Sequence, residues 1–119
     1  MNEFQKCGSC GRRWKRWSDF ILDPEVRLLG LQAFSGLPDA NLLVFEHRCG
    51  SSVSVLTSRL RQLLPDATIE PTLPNLFGTE QCNRFCQTLS DMTLCDRPCS
   101  NAGDRRLIQA VIEMKHKRR

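Results

Sequence analysis

The sequence predicts an α+β chain, with a small antiparallel sheet around a cysteine/histidine knuckle and a helical, cysteine-rich part after it. Three observations predict it. Short β-branched and apolar runs crowd residues 26–56. A proline-rich stretch with little periodicity separates them from the rest. Seven cysteines fall mostly into close pairs, and the last pair is followed by apolar residues at helical spacing.

The 119 residues amount to one domain, long enough to bury a core without cross-links. Within it the composition divides the chain into residues 1–64 (knuckle and sheet), 65–78 (linker) and 79–119 (four-cysteine helical region). The hydrophobic share of 40% and charged share of 25% exclude wholesale disorder.

Along the chain, Cys7-Gly-Ser-Cys10-Gly11 reads as a tight turn, followed by the charged and aromatic stretch Arg12 to Phe20 and by Asp23-Pro24 as punctuation. Val26 to Phe34 predicts a strand and Ser35 to Asn41 a turn-rich connector. Leu42 to His47 is the strongest strand pattern, and Ser51 to Leu56 alternates as a half-buried strand does. Thr57 or Ser58 is placed to cap a short helix through Leu64, which Pro65 ends. Thr79 is placed to cap a helix over Cys82 to Leu89. A last helix starts near Asn101 to Asp104, with Leu107, Ile108, Val111 and Ile112 on one face and cations from Lys115 to Arg119 at its end.

No apolar run reaches the roughly 18 to 20 residues that span a bilayer, so no membrane partner is expected. Residues 1–20 are polar and basic and lack an apolar signal-peptide region, which predicts a reducing, cytoplasmic location. Lasting disulfides are rare there, and an odd number of cysteines cannot all pair within one chain. Metal binding is the better use for them.

The first candidate site is Cys7, Cys10, His47 and Cys49. Cys-x-x-Cys-Gly lets two thiolates meet one tetrahedral ion, and His47 and Cys49, two apart at a strand end, share a face. Glu46 is an alternative fourth ligand, because Glu-x-x-Cys-Gly repeats the first knuckle with a carboxylate; imidazole suits zinc better. The second candidate is Cys82, Cys86, Cys95 and Cys99, two pairs each one helical turn apart, with Phe85, Leu89, Met92 and Leu94 as an apolar shell. These sets imply one or two zinc ions. Iron or an iron–sulfur cluster is the alternative, although neither ferredoxin spacing is present.

The Cys7/Cys10 loop resembles the knuckle of zinc ribbons and rubredoxins. Cys82/Cys86 and Cys95/Cys99 resemble the twin Cys-x-x-x-Cys of helical-hairpin proteins of the mitochondrial intermembrane space, whose cysteines form disulfides, but the loop here is shorter. The whole pattern, with Phe45, His47 and Cys49 at a strand end, is similar to small cysteine-rich bacterial proteins, a likeness that implies metal binding and no particular function.

Charge gathers at the two ends, +3 over residues 1–20 and +4 over 104–119, for a total of +4. Arg12, Arg13, Trp14, Lys15, Arg16 and Trp17 interleave cations with aromatics, a composition that can hold phosphate while stacking a base. The plainer reading is that the two tryptophans cover the knuckle while the cations face water, and that the Lys115 to Arg119 tail is solvated. Asp19, Asp23 and Glu25 lack a neighbouring nucleophile or histidine, and no phosphate loop or metalloprotease motif occurs. The expectation is therefore a non-enzymatic, metal-stabilised regulatory module with a protein partner and no small-molecule substrate. Nucleic-acid binding through the basic ends and iron- or thiol-based electron transfer are the rival readings.

Overall fold

The first cysteine turn is closed by a two-stranded ladder, β1 (Gln5–Lys6) and β2 (Arg13–Trp14), antiparallel with Gln5 opposite Trp14. A short helix, α1 (Trp17–Ile21), follows; Asp19 accepts from the Arg16 backbone N–H at 3.2 Å and so closes its first turn. The structure is a computed structural model that describes residues 3–33, 41–60, 63, 76, 79–82, 84–95 and 99–117.

The apolar runs form an antiparallel meander of β3 (Val26–Gln32), β4 (Leu42–His47) and β5 (Ser52–Leu56), in that order across the sheet. Val26 pairs with His47 and Phe45 with Val53, so the ends of β3 and β4 meet beside the turn that carries His47. β5 alternates buried Val53 and Val55 with exposed neighbours, the pattern of a half-covered strand. In β3 the alternation slips by one residue. A bulge between Leu28 and Gly30 lets Leu28 and Leu31, three apart, both face the core.

The last helix, α2 (Ser100–Lys117), lays Leu107, Ile108 and Val111 on the sheet, where they meet Phe20, Leu28, Leu31 and Phe45. Each such side chain taken fully from water contributes about 1.5–3 kcal/mol. Phe20 packs edge-on to Phe45 and to Trp14, with ring centroids 4.8 and 5.0 Å apart. This stack ties the cysteine hairpin to the sheet.

At one end of the sheet, buried polar groups fix α2 in register. Asn41 donates to Asn101 at 2.7 Å and to Asp104 at 3.0 Å, and the Thr57 hydroxyl donates to Asp104 at 2.8 Å. At the other end the Lys115 ammonium donates to the carbonyls of Ile21 and Val26 at 2.6 and 2.7 Å. Lys115 therefore belongs to the packed structure, where the sequence reading had placed it in a solvated tail.

Two other expectations change. Residues 57–59 form a 3-10 turn, and the helix expected through Leu64 is otherwise largely outside the described residues. Among the described residues no α-helix covers Cys82 to Leu89: only Phe85–Gln87 is helical there, as a 3-10 turn, entered through Arg84 at a left-handed φ of 69°. An arginine held there breaks the helical path, so Cys82 and Cys86 do not share a helix face. The 65–78 linker, apart from Leu76, and the connector at 34–40 lie outside the described residues. Among the described residues no helix is long and apolar enough to cross a membrane.

Candidate metal centre

Two turns from distant parts of the chain bring Cys7, Cys10, His47 and Cys49 together. The first is the loop of the β1–β2 hairpin, in which Cys7 N–H donates to the Arg12 carbonyl at 2.8 Å and Gly11 N–H to the Cys7 carbonyl at 3.0 Å. The second is the β4–β5 turn, closed by His47 N–H to the Ser51 carbonyl at 2.9 Å and Gly50 N–H to the His47 carbonyl at 2.8 Å. Gly11 and Gly50 hold φ of +82° and +93°, a conformation that costs a side-chain-bearing residue energy. His47 is the last residue of β4, whereas Cys49 lies in the turn and not on the strand as its spacing had implied.

The four ligand atoms all lie within 4.8 Å of one another. Cys7 Sγ is 3.6 Å from Cys49 Sγ, and His47 Nδ1 is 3.3 Å from Cys49 Sγ and 3.5 Å from Cys10 Sγ. A tetrahedral ion with about 2.3 Å to sulfur and about 2.0–2.1 Å to nitrogen needs edges of roughly 3.6–3.8 Å. These three edges match within a few tenths of an ångström and all six lie within 4.8 Å, so the Cys3His cluster can hold a metal ion. Glu46 takes no part; its carboxylate accepts from Arg27 at 2.7 Å.

Hydrogen bonds prepare the sulfurs for this. The Ser51 hydroxyl stands 3.1 Å from both Cys7 and Cys49 sulfurs. Its hydrogen bond, then the N–H groups of Cys10 and Ser9, bring the Cys7 thiol down to about 5 from an ordinary 9.0, despite burial. Cys49 is lowered too, by the Ser51 hydroxyl and N–H and then by His47. The Arg12 N–H pulls Cys10 down, but loss of solvent and the neighbouring Cys7 and Cys49 sulfurs outweigh it and the thiol ends raised. Burial lowers His47, yet the Cys49 and Cys7 sulfurs more than reverse this and its pKa ends raised. Negative charge is concentrated here, and the proton drawn to His47 stands where a dication would relieve it better.

The surroundings orient the imidazole. Trp14 meets His47 edge-on at 5.3 Å, and its indole N–H donates to Asp23 Oδ2 at 2.8 Å. His47 Nε2 is buried without a hydrogen-bond partner among the described residues, with Glu25 Oε1 at 3.8 Å. Nδ1 thus faces the sulfurs while Nε2 lies on the side of the Glu25 carboxylate, at 3.8 Å beyond the hydrogen bond that orients many metal-bound histidines. Sequence reasoning missed Ser51, Glu25 and Asp23. Ser51 carried a readable signal, standing two residues after Cys49 in the second knuckle.

Of the Arg12 to Trp17 stretch, the cations are exposed, but Trp14 is only 1% exposed and Trp17 is half-buried against the core. Trp14 is therefore not presented for base stacking. All seven cysteines are thiols. Cys82, Cys86, Cys95 and Cys99 form no group of the closeness seen at the first site; of their expected apolar shell, Met92 packs on the core while Leu89 and Leu94 are exposed. Neither a family model, a curated protein nor a solved structure matches the chain.

Proposed function

We propose that this chain is a non-enzymatic, zinc-type metal-binding module that acts in regulation by presenting a surface to a protein partner. The observation that carries the reading is the closed set of three sulfurs and one imidazole nitrogen within 4.8 Å. Four protein ligands leave a tetrahedral ion no position for substrate, the mark of a structural site. Such an ion contributes on the order of 10 kcal/mol of apparent folding free energy, comparable with a domain's whole stability. Beside the knuckle runs a groove of about 650 Å³ lined by Arg12, Arg13, Lys15 and Arg16 together with Asp19 and Asp23, a net positive surface that suits an acidic protein segment.

The test is elemental analysis of protein purified anaerobically without added metal, followed by chelation monitored through the near-ultraviolet circular dichroism of the tryptophans. Zinc in the chain, and collapse of the Trp14 signal on its removal, are the expected results. A metal-free chain, or one whose signal survives chelation, refutes the structural-site reading; iron with charge-transfer bands replaces it by electron transfer. Anisotropy titrations with an acidic peptide and a single-stranded oligonucleotide separate the partner classes. Binding of the oligonucleotide alone, weakening steeply with salt, would favour the nucleic-acid reading.

A further inference from the structure

The four C-terminal cysteines sit on separate pieces of chain, and the first turns of α2 bond to two of them, Cys86 and Cys99. Cys99 directly precedes α2, and its sulfur accepts from the N–H of Asn101 at 3.4 Å and of Leu76 at 3.1 Å. Leu76 in turn accepts from Thr79, whose carbonyl accepts from the Cys82 N–H at 3.2 Å. These short steps tether Cys82 to Cys99. The Cys82 sulfur accepts from the Arg84 N–H at 3.2 Å. Cys82 and Cys99 thus share one device, an N–H two residues on that bonds back to the sulfur. Cys10 and Cys49 of the first site use the same device, with Arg12 and Ser51 as donors.

Arg105 supplies the remaining order. It is fully buried, and its guanidinium donates to the Cys86 sulfur at 3.5 Å, to the Thr93 carbonyl at 2.7 Å and to the Asp91 carbonyl. One side chain of α2 therefore holds both the turn carrying Cys86 and the loop that leads into Cys95. A dication held by four thiolates carries a net charge of about −2, beside which stand the positive end of α2 and the buried guanidinium, itself shared with the Asp91 carboxylate at 3.6 Å.

We infer that Cys82, Cys86, Cys95 and Cys99 form a second site for a thiophilic tetrahedral dication, beside Arg105 at the start of α2. The site goes beyond the first-site reading and stands independently of it. The two centres lie towards opposite ends of the molecule. Asn101 and Lys115, whose contacts mark those ends, are separated along α2 by about 21 Å at 1.5 Å per residue. The C-terminal sulfurs are not as close to one another as those of the first quartet.

The experiment titrates Co²⁺ into three reduced full-length chains: the parent, C7S/C49S and C82S/C86S. The parent is expected to take two equivalents and each variant one. The ion kept by C7S/C49S should show the stronger sulfur-to-cobalt absorption, having four thiolates against three. A parent that takes one equivalent, lost in C7S/C49S and kept in C82S/C86S, overturns the second site. One equivalent kept in C7S/C49S and lost in C82S/C86S overturns the first site and leaves this one standing. Should C82S/C86S fail to fold, alkylation of the parent with and without Zn²⁺, mapped by mass spectrometry, decides. Protection of Cys82, Cys86, Cys95 and Cys99 is expected, and their unchanged labelling refutes the site.

Discussion

Gly30→Ala tests how the C-terminal cysteine region is seated on the sheet. A Cβ at position 30 would lie 1.6 Å from the Leu89 carbonyl oxygen and 2.5 Å from its carbon. Ordinary contact begins at 3.4 Å, so the chain at Leu89 would have to retreat by about 1.8 Å. These are backbone atoms, and no rotamer change relieves them. Overpacking of this kind costs about 1–3 kcal/mol, and the φ of +150° adds strain of about 1–3 kcal/mol. A combined loss of about 3 kcal/mol is a large share of the roughly 5–15 kcal/mol available, and at about 4 °C per kcal/mol it lowers the melting temperature by about 12 °C. Two controls divide the effect. Gly50 has φ of +93° and nothing within 4 Å, so Gly50→Ala carries strain alone; Gly8 also has open space and no such φ, so Gly8→Ala should be neutral. Thermal unfolding of the metal-loaded chains by circular dichroism ranks them. If Gly30→Ala costs no more than Gly50→Ala, the Leu89 carbonyl is not packed on Gly30 and the argument fails.

Two further substitutions probe the metal end and the opposite end. In Ser51→Ala the metal-free Cys7 thiol loses the largest of four hydrogen-bond contributions that together take it from 9.0 to about 5 against burial, so it should titrate more than one pH unit higher, read from thiolate absorbance. A lowered acid stabilises the fold fully above 9.0 and loses that contribution as pH falls through about 5. The variant's deficit should therefore appear only above about pH 5, and an unchanged Cys7 titration would refute the role given to Ser51. Asp104→Ala removes the acceptor of the buried Thr57 hydroxyl and one acceptor used by the Asn41 side-chain N–H. It should cost about 2–4 kcal/mol in denaturant unfolding, against little for exposed Arg106→Ala, and equal costs would contradict the buried network.

Much of the sheet and of the first site was legible because local chemistry and tertiary packing agree there. Leu42 to His47 is a strand in pattern and in structure, with bounds that coincide. The Cys7/Cys10 and His47/Cys49 pairs could be joined from sequence because metal chemistry demands a second pair and the intervening strands can fold back. Cys82 to Leu89 misled for the opposite reason. Its spacing of four is helical, but the left-handed Arg84 and the Leu89 backbone seated on Gly30 are tertiary facts that no local pattern encodes. Lys115 was misread in the same way, since three-residue periodicity cannot reveal that carbonyls of Ile21 and Val26 lie within its reach. The bulge at Leu28–Gly30 was the intermediate case: the glycine was visible inside the strand, while the slip it produces depends on which residues of β4 it faces.

The metal knuckle is not an appendage that could unfold by itself. His47 is both a candidate ligand and the pairing partner of Val26 in the sheet, and Val26 is held by Lys115 of α2. Trp14 leaves the knuckle, touches His47 with its ring edge and anchors on Asp23, in the loop whose neighbouring carbonyl at Ile21 is bound by the same lysine. Burial pushes the Asp23 carboxyl up, but the Trp14 indole, the Glu25 N–H and Arg12 hold it below its ordinary value, which keeps a charged anchor under the tryptophan. Removing the ion leaves two lowered thiols, Cys7 and Cys49, and a raised Cys10 around a raised imidazole on a strand that the core shares. Strain at that point is transmitted through His47 to β3 and through Trp14 and Phe20 to Phe45. Loss of the ion at the first site should therefore loosen the sheet and the last turns of α2 together, while the Asn41–Asp104 end, fastened by its own buried network, lets go last, an order that amide hydrogen exchange would read.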